Sequence, residues 1–67
     1  MITEIGIVAG DIWHYLDQNR TCHLKQLISA IDKDKSVALM SLGWLAREGH
    51  VILEQVGNDD YKITLRF

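Results

Sequence analysis

The 67-residue sequence has no proline, a single cysteine, and no apolar run approaching the ~20 residues that span a bilayer. Without proline, and with its five glycines scattered, it shows no linker or low-complexity segment. Cys22 has no second cysteine to pair with, so an intrachain disulfide is excluded, and a lone thiol points to a reducing compartment, the cytoplasm. No charged stretch followed by an apolar one opens the chain, so neither export nor membrane insertion is expected. A basic excess is also missing. Seven Lys and Arg face nine Asp and Glu, a formal net charge of -2. Affinity for duplex DNA comes largely from basic groups that displace its counterions, and domains built for that task usually carry a positive surplus.

The side-chain sets that carry catalysis are lacking too. Cys22 and His23 are adjacent and point to opposite sides of an extended link, and no C-x-x-C or H-x-x-x-H spacing occurs among the one cysteine and three histidines. No metal is therefore expected. His14, beside Trp13, reads as a half-exposed surface residue, and no glycine-rich phosphate loop or nucleophile elbow is present. The sequence predicts no enzyme, no cofactor and no small-molecule ligand.

What is present is a strongly patterned chain, 48% hydrophobic, which suits a folded domain. Its length fits one domain spanning residues 1–67, with a thin core that often needs a second subunit as a staple. From Thr3 to Asn19, Ile5, Val8, Ala9, Ile12, Trp13 and Leu16 recur at three- and four-residue steps, predicting a helix that buries that face. Thr3 is placed to cap its start, and Gly6 and Gly10, four residues apart, offer room for a close backbone. Thr21 to His23 forms an extended link able to act as a minor strand. A second helix, Leu24 to Ala30, turns Leu24, Leu27, Ile28 and Ile31 inward, and Asp32-Lys33-Asp34 breaks it with two capping side chains. A third helix runs from about Lys35 to Glu48, and Gly49 stands where a left-handed cap is expected. Beyond it, Val51 to Val56 and Tyr61 to Arg66 alternate as strands around Gly57-Asn58-Asp59-Asp60, a β-hairpin. Three helices followed by a hairpin predict an α+β, mainly α, winged helix-turn-helix.

The run Leu42-Gly43-Trp44-Leu45-Ala46-Arg47-Glu48-Gly49-His50-Val51 resembles the end of the third helix and the start of the wing in winged helix regulators, and Leu27-Ile28-Ser29-Ala30-Ile31 resembles their second helix. The Gly-Trp-Leu-Ala-Arg-Glu segment is similar to a small family of bacterial winged helix domains. That resemblance covers most of the chain and implies the fold. It implies no particular ligand.

In a DNA-reading helix-turn-helix the third helix presents donors and acceptors to base edges. With Ala38, Leu42 and Leu45 inward, the outward set is Ser36, Val37, Met40, Gly43, Trp44 and Arg47, of which only Ser36 and Arg47 can contact a base or phosphate. Val37, Met40 and Trp44 make a second apolar stripe that calls for cover, by another subunit, by a different protein, or by Trp44 folding under the hairpin. The expected wing tip is acidic, at Asp59 and Asp60, and reads as a solvated turn. Two functions follow. One is a DNA-binding regulator, dimeric, using Lys33, Lys35, Ser36 and Arg47. The other is a homodimerising, protein-binding winged helix that uses Val37, Met40 and Trp44.

Overall fold

The computed structural model describes residues 1–66. Its elements run α1 (Ile2–Asn19), β1 (Thr21–His23), α2 (Leu24–Ile31), α3 (Lys35–Arg47), β2 (Val51–Gln55) and β3 (Tyr61–Leu65). The strands form one antiparallel sheet in the order β1-β3-β2, with Ile63 opposite Cys22 on one side and Leu53 on the other. Three helices and a small sheet make the mainly helical winged helix that the sequence predicts, and Thr21–His23 supplies its minor strand.

Each boundary has a local cause. At the end of α1, Arg20 adopts φ 67° and its N–H donates to the Leu16 carbonyl at 2.6 Å. Its own carbonyl accepts from Leu65 N–H at 2.9 Å, so this reversal ties the first helix to the last strand. A non-glycine residue at positive φ costs about 1–2 kcal/mol. Between α2 and α3 the two aspartates divide the work: Asp32 takes the left-handed conformation that ends α2, and an Asp34 carboxylate oxygen caps α3 by accepting from Val37 N–H at 3.3 Å. At the far end of α3, Gly49 (φ 79°) donates to Ala46 and His50 donates to Leu45, the paired bonds of a Schellman cap. The hairpin closes with Val56 N–H on the Asp60 carbonyl.

The core gathers one stripe from each helix under the sheet: Val8, Ala9, Ile12 and Leu16 of α1, Leu27 of α2, five residues of α3, and Cys22, Val51, Ile63 and Leu65 of the strands. Small residues at Ala38 and Ser41 sit on α3's buried face, and Ser41 satisfies its hydroxyl on the Val37 carbonyl at 2.7 Å. Three details of α1 differ from the expectation. Trp13 is 40% exposed, with the His14 ring edge-on beside it, because the buried arc is narrow and centred on Ile12, one residue away around the helix. Thr3 does not cap: the helix already starts at Ile2, with no side-chain cap. Among the described residues no other backbone approaches Gly6 or Gly10, since a Cβ at either would have nothing within 4 Å.

So small a core leaves little reserve. At roughly 0.05–0.15 kcal/mol per residue a chain of this length is stable by about 3–10 kcal/mol. Ile12 is fully buried, so Ile12→Ala should remove about 2–5 kcal/mol. A urea melt followed by circular dichroism should show a much lower midpoint than the parent; an unchanged midpoint would refute the packing described.

Candidate interaction face

The inner side of α3 holds Val37, Ala38, Ser41, Leu42 and Leu45, all buried. Its outer side carries Ser36, Leu39, Met40, Gly43, Trp44 and Arg47, all exposed. Val37 is thus corrected from an outward to a core residue, 8% exposed, because the α1 side of α3 closes over it beside Ile7 and Val8. Met40 and Trp44 are outward as expected, and Trp44 does not fold under the hairpin: it is 47% exposed, with the His50 ring 6.5 Å away between centroids. The missing member of the stripe is Leu39, 41% exposed. Its signal in the sequence is its position three residues after Ser36 and four before Gly43.

Both flanks extend this apolar face. Toward the hairpin, Leu39 and Gly43 share a shallow groove with Leu24, Leu53 and Tyr61. Leu53 and Tyr61 are on the inner side of the hairpin, like Val51 and Ile63, but the helices do not cover them and they stay exposed. Toward the N-terminus of α1, Trp44 forms a second apolar groove with Ile2, Ile5 and Gly6. A scattered exposed apolar residue needs no explanation, whereas a continuous strip rimmed by polar groups marks a contact surface.

The basic residues expected to act together are separated. Lys33 turns toward α1, 3.7 Å from an Asp11 carboxylate oxygen. Lys35 turns the other way and lines a groove with Lys25, Leu24, Ile28, Ser29 and Asp59. Arg47 stands at the opposite end of α3, about 18 Å along the axis from Lys35 at 1.5 Å per residue. Ser36 is exposed near the start of the helix. The wing tip is acidic, but only partly a free solvated turn. Asp60 is half-buried; one carboxylate oxygen meets His23 Nδ1 at 2.7 Å and the other accepts from Tyr61 N–H at 2.9 Å. Asp59 is exposed. This clasp from β1 to the wing was not legible in the sequence, since 37 residues separate its partners.

Cys22 and His23 point to opposite sides, the thiol inward and the imidazole out to Asp60. Burial raises the Cys22 pKa by desolvating the thiolate. Among the described residues no group of three His, Cys, Asp or Glu could hold a metal, and no helix is long and apolar enough to cross a membrane. A thiol so placed should react slowly with an aromatic disulfide reagent at pH 8, and about tenfold or more faster once the protein is unfolded in urea. Because its pKa is raised in the folded state, its contribution to stability holds below the unfolded value and fades as pH climbs through the folded one. Equal thiol reactivity in the folded and unfolded protein would contradict the burial.

Residues 1–65 match the family model described as Winged helix-turn-helix domain (DUF2582). No curated protein and no solved structure matches the chain.

Proposed function

The chain belongs to this winged helix-turn-helix family, and on that premise we propose that it is a protein-binding winged helix whose α3 face is the contact surface. The observation that carries the reading is the outer side of α3. Where a base-reading helix presents donors and acceptors, this one presents Leu39, Met40, Gly43 and Trp44. Trp and Met are enriched at interface cores, where buried aromatics supply most of the binding energy. The acidic wing tip and the net charge of -2 point the same way, because both repel phosphate.

DNA binding is the second reading. It is favoured by the fold, which is a weak warrant because one fold hosts many functions. It is also favoured by Lys35, Ser36 and Arg47, which all remain exposed on α3. On this reading the module is of the transcription-regulator type.

Titrating the pure protein with mixed-sequence duplex DNA at low salt separates the two. We expect binding no tighter than about 100 µM, the weak limit of non-specific association. A complex several orders of magnitude tighter, which weakens as salt rises and is lost in the Lys33→Ala, Lys35→Ala, Arg47→Ala triple variant, would replace the protein-binding reading with the DNA one.

A further inference from the structure

We propose that the partner of this face is a second copy of the chain, docked with the two α3 helices antiparallel about a two-fold axis. This rests on the protein-binding reading above and names its occupant. Ser36, Met40, Gly43 and Arg47 are all exposed and follow one another at steps of four, three and four residues. That is the spacing of a seam that receives a helix, since it keeps one line of side chains facing a partner along the whole contact.

The seam is complementary to itself. A two-fold interface requires that if residue i meets residue j, then j meets i. With the axis between Ser41 and Leu42, near the middle of α3, Met40 of each copy lies opposite Gly43 of the other, and Ser36 opposite Arg47. Gly43 leaves a gap on the outer surface, since a Cβ there would have nothing within 4 Å. Met40, unbranched and 43% exposed, is a side chain suited to fill it. Leu39 falls on one side of the seam and Trp44 on the other, so each pairs with its own copy across the axis. The charges agree with this direction. Arg47 is the one charged residue in the seam and meets a neutral serine when the helices are antiparallel, whereas parallel pairing would set Arg47 against Arg47.

The glycine also lets folding be separated from association. An exposed mid-helix glycine disfavours the helix relative to a residue with a straight side chain, so Gly43→Gln should raise the thermal midpoint at concentrations where the parent is monomeric. The same substitution fills the gap and should weaken dimerisation by about 30-fold or more, the scale of an interface hot spot.

Sedimentation equilibrium on the pure protein is the first measurement, with a micromolar monomer–dimer equilibrium expected for a contact strip about 20 Å long. A parent that stays monomeric at millimolar concentration overturns the second-copy proposal while leaving the protein-binding reading to another partner. A Gly43→Gln protein that dimerises like the parent overturns it too. Register is tested by mixing Ser36→Cys and Arg47→Cys proteins under mild oxidation. The antiparallel seam predicts the mixed disulfide in excess over either homodisulfide, and a preference for the homodisulfides overturns the arrangement.

Discussion

The packing of α3 against α1 is the contact on which the rest depends. Ile12 and Leu16 of α1 are sealed from solvent, and α3 lays Val37, Ala38, Ser41, Leu42 and Leu45 along the buried side. Placing small residues at Ala38 and Ser41 allows close packing, and the buried hydroxyl is kept harmless by bonding to the preceding turn. Once α3 is fixed in rotation, its outer line of residues is fixed as well. The exposed face of Leu39, Met40, Gly43 and Trp44 is the other side of the same helix, and no residue can change faces without disturbing the core.

The sheet holds this arrangement in place through few connections. Arg20 reverses the chain after α1 and hands its carbonyl to Leu65, while His23 reaches across to Asp60 in the wing turn. The hairpin is therefore clamped to both ends of the short first strand. Its inner surface is buried at Val51, Ile63 and Leu65 and runs out of cover at Leu53 and Tyr61. There the wing stops being core and becomes one wall of the face on α3. The core, thirteen buried apolar residues among those described, covers one side of the third helix and is too small to cover the other.

That shortage links the fold to its proposed use. A helix apolar on two sides in so small a chain leaves one side for another molecule. The chemistry of the uncovered side selects what kind: it offers aromatic and sulfur-containing contacts where DNA would require donors, and its lysines diverge to separate grooves. Family membership assigns the fold, whereas it is this surface that points to a partner.

Local pattern in the sequence determined the elements, because each depends on neighbours within a few residues. The three- and four-residue periodicity sets the helices, Asp32 and Asp34 set the break between α2 and α3, and Gly49 sets the end of α3. The alternation around Gly57 to Asp60 sets the wing. Met40 and Trp44 were legible as outward by the same logic. Periodicity could not decide the edges of a buried arc, where a residue turns in or out according to which neighbour stands beside it. Val37 is covered because α1 packs over it, Trp13 is left out because the arc on α1 is narrow, and Leu39 is open because the hairpin stops short of it. The divergence of Lys33 and Lys35, and the His23–Asp60 clasp, were likewise settled only when distant segments met. One-dimensional spacing fixes the faces of an element, and the width of each face is set by what packs against it in three dimensions.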